Sequence, residues 1–182
     1  MARIPSLEIN EVVPEMRSDY EKQIAAHGRM TNMKKTLAHS PPAFHALMEW
    51  YTLRDEVQPF LGERLTMIFS HAISAQTDCL ICSTFFRRIL IDWGENPDEL
   101  KLDEREQTIA EFGRQLVKDA HNVSDELYSR LEKFLTPKQI VALTAFGGIM
   151  IATNIFNNAL RVDLDEYLFT YRKKADGNQP SK

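Results

Sequence analysis

The chain is short of what a metal centre, a nucleic-acid partner or a membrane span requires. It has only two cysteines in 182 residues, Cys79 and Cys82. There is no second CxxC and no HxxxH, while a structural zinc site takes four ligands. His27, His39, His45, His71 and His121 are scattered over distant segments, so no metal site and no cofactor is expected. Basic residues do not exceed acidic ones, 22 against 26, and the net charge of −4 leaves no surplus for a phosphate backbone. No nucleic-acid partner is expected. The most apolar stretch, residues 140–156, is interrupted by Thr144, Thr153 and Asn154 and is too short to span a bilayer. The opening "MARIPSLEINEVVPEM" holds no apolar h-region, which argues against a signal peptide. A cytoplasmic protein without membrane contact is the resulting expectation, and in a reducing compartment a lone permanent disulfide is disfavoured.

Strand signals are also missing, because no run alternates apolar and polar residues for long enough. Helical periodicity takes their place. Residues 14–27 read as a first helix with Pro14 at its start and Gly28 at its end. Ser40 caps a helix through Phe44, Leu47, Met48 and Tyr51, spaced by threes and fours. Another face runs through Leu65, Ile68, Phe69, Ala72 and Ile73. Asp78 is expected to cap the next helix, which carries Cys79, Cys82, Phe85, Phe86, Ile89 and Leu90. Amphipathic segments follow at 104–121 and 124–135, and Thr136 with Pro137 opens a long apolar helix ending in "NIFNNAL". The expected class is all-α, about seven to eight helices.

Three residues is close to one helical turn, so the CxxC spacing puts both sulfurs on one face. A place in the first turn, where free N–H groups and the helix dipole favour an anion, promotes thiolate formation. Core packing, a metal clamp and a disulfide remain alternatives to a redox pair; the compartment and the missing ligands favour redox chemistry. His71 precedes the pair as either a buried core histidine or a proton acceptor. Asn154, Asn157 and Asn158 share one helical face, where bonding between helices is preferred over contact with a substrate.

Three stretches, "GRMTNMKKTLAHSPPAFHALMEWY", "ERLTMIFSHAISAQTDCLICSTFF" and "LTPKQIVALTAFGGIMIATNIFNNALRVDLD", resemble the carboxymuconolactone decarboxylase and alkylhydroperoxidase D-like superfamily. The likeness covers residues 28–165, which would form the domain, with 1–27 as an N-terminal extension helix and 166–182 as a C-terminal tail. It implies an alkylhydroperoxidase D-like helical bundle assembled as a homo-oligomer, trimer or hexamer. For CxxC members it implies peroxidase or disulfide-reductase activity in antioxidant defence. Cys82 would then attack a hydroperoxide or small disulfide, Cys79 would resolve the product, and a dithiol or lipoyl-bearing partner would reduce the pair. A non-redox decarboxylase-like lyase, or a helical scaffold without chemistry, is the alternative. The chain departs from the superfamily pattern at two places. A Glu twelve residues before the first Cys and a His four after the second are here Met67 and Phe86. His71, one turn beyond Met67, is the candidate to take over proton transfer.

Overall fold

The structure, a computed structural model, describes residues 1–173. Among these residues it is all-helical, with nine α-helices: α1 (Pro14–His27), α2 (Asn32–Leu37), α3 (Pro41–Met48), α4 (Trp50–Leu61), α5 (Glu63–Gln76), α6 (Leu80–Asp92), α7 (Glu104–Asp119), α8 (Asp125–Glu132) and α9 (Pro137–Leu160). Two short 3-10 helices, Ala120–Asn122 and Glu166–Tyr171, complete it. The expected count falls short because short α2 has little periodicity to read and because Glu49 interrupts what reads as one helix from Ser40 onward. The interruption has a packing cause. Phe44 of α3 belongs to an N-terminal core with Val12, Met16, Tyr20 and Leu37, whereas Val57 and Leu61 of α4 belong to the main core. One straight helix cannot point both sets into different cores.

Local chemistry sets the other boundaries much as the sequence suggests. Gly28 ends α1 with φ 74°, a left-handed value that costs glycine little. The Oγ of Ser40 accepts from the Ala43 N–H, and Asp103 with Glu106 and Thr136 with Gln139 form reciprocal capping boxes on α7 and α9. Antiparallel α5 and α6 form a hairpin, α7 covers α5, and α9 runs along α4, α5 and α7. The 24-residue α9 is longer than its uninterrupted apolar stretch, and by length and composition alone it could cross a membrane. Here it buries Ile140, Leu143, Phe146, Met150, Asn154 and Asn157 inside the bundle. Residues 166–171, assigned to the tail from the sequence, pack against α6 with Leu168 fully buried. The rest of that tail, 174–182, lies outside the described residues.

Candidate active site

The turn between α5 and α6 fixes the geometry of the cysteines. Asp78 does not cap α6. It ends α5 in the left-handed conformation, φ 52°, with its N–H on Ala75 O (3.2 Å) and the Cys79 N–H reaching back to Ser74 O (3.1 Å). This pairing is a Schellman closure with aspartate in the position glycine usually takes. It extends the turn by one residue and makes Cys79 the N-cap of α6, with Cys82 in its first turn. Helix α9 ties this turn down from the other side. Asn154 Nδ2–H donates to Thr77 Oγ1 (2.8 Å) and Asn158 Nδ2–H donates to Thr77 O (2.9 Å), bonds between helices as expected. Asn157 differs from its neighbours: its Nδ2–H donates to the Cys82 sulfur at 3.2 Å. The shared face of the three asparagines was visible in the sequence, but not that one of them meets a thiol.

Both thiols are free and buried, Cys79 completely and Cys82 with 7% exposure. Their protons are shared unequally. The adjoining Cys82 thiol, helped by the N–H groups of Cys82 and Ile81 and by Asn157, outweighs burial and holds Cys79 below the ordinary thiol range. The same contact, burial and the Cys79 charge push Cys82 well above it, with Asn157 acting in the opposite direction. The pair therefore gives up its first proton readily and its second with difficulty.

Cys82, but not Cys79, lines a cavity of about 430 Å³. Its walls are aromatic, from Trp50 and Tyr51 of α4 and Phe85, Phe86 and Trp93 of the α6 segment, with Met67 and Met150 beside them. Met67 and Phe86 thus stand on the wall as apolar side chains and supply no proton relay. Lys34, Arg54, Arg88, Asp165 and Tyr167 bring polarity to the cavity; the sequence points only to Arg88, as a charge one turn beyond the thiols and secondary to the helix dipole. Their signal is weak because they come from four separate segments, each resembling an ordinary surface residue. His71 lines a second cavity instead, with Ile68, Ala72, Asp98 and Arg114. Burial, reinforced by the Arg87 charge, lowers its pKa to about 4, so it is neutral and a weak base near pH 7. The structure brings Cys79 and Cys82 together and does not bring His71 to their cavity. No cluster of three or more His, Cys, Asp or Glu suited to a metal ion occurs among the described residues.

No family model and no curated protein matches the chain in sequence. Solved structures do match it in shape. The "alkylhydroperoxidase AhpD core", an uncharacterized peroxidase-related protein from Ralstonia eutropha JMP134, superposes with a TM-score of 0.75 at 20% identity, over 92% of this chain and 94% of that one. The chain has the alkylhydroperoxidase D fold. A putative antioxidant defence protein AhpD from Agrobacterium tumefaciens shares it at TM-score 0.61 and 17% identity, over 70% of this chain and 93% of that one. So does the debrominase Bmp8, at TM-score 0.76 and 15% identity, over 92% and 95% of the two chains. A cysteine-to-alanine variant of that debrominase has been solved in complex with 2,3,4-tribromopyrrole. One fold therefore carries more than one activity, and the site has to decide between them.

Proposed function

We propose that this protein is a thiol-dependent oxidoreductase that reduces organic hydroperoxides with the Cys79–Cys82 pair. The observation that carries the reading is the placement of the pair. Two free thiols share one helix start, and one of them, Cys82, borders a cavity large enough for an organic molecule and accepts an N–H from Asn157. A volume of about 430 Å³ suits a small organic ligand and is far larger than hydrogen peroxide needs.

The pair also offers a route around the absent relay. In its singly ionised state the charge rests on Cys79 and the proton on Cys82. Passing that proton to Cys79 creates the Cys82 thiolate. This thiolate attacks the outer peroxide oxygen, the O–O bond breaks, and Cys82 becomes a sulfenic acid. The alkoxide leaves as the alcohol, taking the proton held on Cys79. The Cys79 thiolate then attacks the Cys82 sulfur and expels hydroxide, which leaves a disulfide. Hydroperoxide and one monoanionic pair yield alcohol, hydroxide and disulfide, and an external dithiol or lipoyl-bearing partner returns two electrons and two protons.

Mass spectrometry after exposure to cumene hydroperoxide tests this directly. The peptide holding both cysteines should lose two hydrogens. Cys82→Ser should abolish consumption of the hydroperoxide, and Cys79→Ser should accumulate a sulfenic acid at Cys82. A chain that keeps both thiols reduced refutes the proposal and leaves the lyase or scaffold alternatives.

A second reading draws on the debrominase neighbours and the aromatic walls. The same two thiols could remove a halogen from a ring, giving the dehalogenated ring, hydrogen halide and the disulfide. Bromide release from a brominated pyrrole, with no consumption of cumene hydroperoxide, would select it.

A further inference from the structure

Lys34 is the only lysine or arginine that is buried among the described residues, with 5% exposure, and it stands on the wall of the cavity that holds Cys82. Its ammonium donates to Gln23 Oε1 (2.5 Å) and to the Tyr51 hydroxyl (2.9 Å), both neutral acceptors. It also lies 5.1 Å from the centre of the Tyr51 ring. Among the described residues no carboxylate comes within ion-pair distance of it, so one of its three N–H donors has no protein partner. A buried cation without an anion is costly unless something supplies one.

The other charges around the cavity differ from Lys34. Arg54 is paired with Asp55, Arg88 reaches Asp92, and Arg29 is exposed and lies over the Tyr167 ring. Asp165 also borders the cavity; its Oδ1 accepts the Asn32 N–H, its Oδ2 is buried without a partner, and burial raises its pKa. Resting on the thiol reading above, we propose that the cavity takes a flat, apolar molecule bearing one oxyanion, a carboxylate or phenolate. The anion sits on Lys34 and Tyr51, and the reactive group points at Cys82. Aromatic walls would sandwich the ring, and a cation–oxyanion bond in a desolvated site would orient it. Hydrogen peroxide and uncharged hydroperoxides lack that second anchor.

A pH signature follows. Burial lowers the Lys34 pKa to about 8, opposed by the Asp165 charge. The groups that face it are Gln23 and His27 from α1, Tyr51 from α4 and Asp165 beyond α9, and Arg54 and Tyr167 act in turn on Tyr51. His27 is held below its ordinary value by burial and by the Lys34 and Arg54 charges, so it is neutral at and above pH 7, and burial holds Tyr51 and Tyr167 above their ordinary values. A carboxylate ligand is ionised throughout this range. Its affinity should therefore be full below pH 8 and fall as pH rises through the Lys34 titration, about tenfold between pH 7 and 9.

The test uses 1-naphthoate and uncharged 1-naphthamide as probes in isothermal titration calorimetry on the full chain. The pH series is repeated in the Cys79→Ser/Cys82→Ser double variant, so that the thiols cannot supply the titration. Naphthoate should bind at least tenfold more tightly than naphthamide at pH 7, lose that advantage above pH 8, and lose it in Lys34→Met but not in Lys34→Arg. It should also shield Cys82 from N-ethylmaleimide. Equal binding of the two probes, a preference that survives Lys34→Met, or no shielding of Cys82 overturns the proposal. If Lys34→Met loses its helical circular dichroism, the pH profile of the native lysine decides alone. Cumene hydroperoxide oxidation of the same sample tests the thiol reading separately. Lys34-dependent naphthoate binding without disulfide formation keeps the anion site and removes the peroxidase, and the reverse result keeps the peroxidase and removes the anion site.

Discussion

Replacing Asn157 with leucine removes the one side-chain N–H that reaches the Cys82 sulfur while keeping a side chain of similar bulk. Two consequences can be separated. A hydrogen bond to a charged acceptor contributes about 1.5–3 kcal/mol, and sulfur is a soft acceptor, so the lower end applies. That amount is about one pKa unit. It raises the Cys82 thiol further and cuts its thiolate fraction at pH 7 about tenfold. Folding should respond differently. The Asn157 Oδ1 is buried without a partner, and such an orphan costs about 1–3 kcal/mol. Leucine removes the orphan together with the bond, so the melting temperature should stay level or rise. The assay is alkylation of Cys82 by iodoacetamide, followed by peptide mass spectrometry from pH 6 to 10, beside a thermal melt. The expected result is a reaction about tenfold slower from pH 6 to 10, because burial and the Cys79 charge hold the Cys82 thiol well above the ordinary range in both chains. Equal rates at pH 7 would falsify the assignment of Asn157 to the thiolate. A slowing of a hundredfold or more would mean that leucine blocks access instead.

Four further outcomes are expected. His71→Leu should leave Cys82 alkylation unchanged from pH 6 to 9, since His71 lines a different cavity; a slowed reaction near neutrality would restore its proton-transfer role. The folded His71 pKa of about 4 lies below the unfolded value near 6.5, so the unfolded chain takes up this proton first on acidification, and up to about 3 kcal/mol of stability is lost between pH 6.5 and 4; urea melts should show a smaller acid loss in His71→Leu. Gly147→Ala should destabilise by about 1–3 kcal/mol, because the new methyl would meet Leu116 Cδ1 at 2.6 Å and Phe69 Cζ at 3.3 Å, and an unchanged melting temperature would show that Leu116 swings aside freely. Finally, the outward face of α9 carries Val141, Ala145, Gly148, Ala152 and Ile155 at spacings of four and three, all exposed and uncharged, so a second copy of the chain should pack there; light scattering should give a multiple of 21.0 kDa that Gly148→Arg reduces, and a native monomer at micromolar concentration would refute it.

Long amphipathic segments with capping residues were legible because their signals are local. Pro14 and Gly28, Ser40, and Thr136 with Pro137 each mark a helix end from a few residues of chain. The break at Glu49 was not legible, because the reason for it lies in two separate cores that meet only in three dimensions. The site divides the same way. Cys79 and Cys82 announce themselves by spacing, and Met67 and Phe86 by what they lack. Asp78 is a good N-cap by residue type, yet the 6→1 bond from Cys79 to Ser74 takes precedence and moves the cap by one residue. Lys34 reads as one lysine of a surface pair with Lys35, since only the approach of α1 and α4 buries it.

That one-residue displacement of the cap bears on the chemistry. Were Asp78 the cap, its carboxylate would compete for the free amides at the start of α6 and place a negative charge beside the thiols. Turned into the left-handed position at the end of α5, it gives up that place, and the cap becomes a sulfur. A thiolate at Cys79 then gains from the N–H groups of Ile81 and Cys82, and Cys82 is left holding a proton that it can pass to its neighbour. A site with methionine and phenylalanine where a relay would stand thus has a second thiol within reach to hold the proton, and the amide of Asn157 to stabilise the charge that remains. Asp78→Gly separates these roles. Glycine suits φ 52° at least as well, so the turn and the Cys79 cap should persist and stability should hold or improve. Alkylation of Cys82 should be unchanged or slightly faster with a negative charge removed. A marked loss of reactivity in a well-folded Asp78→Gly chain would show that the carboxylate itself takes part, and the account of a proton shared between two sulfurs would have to be abandoned.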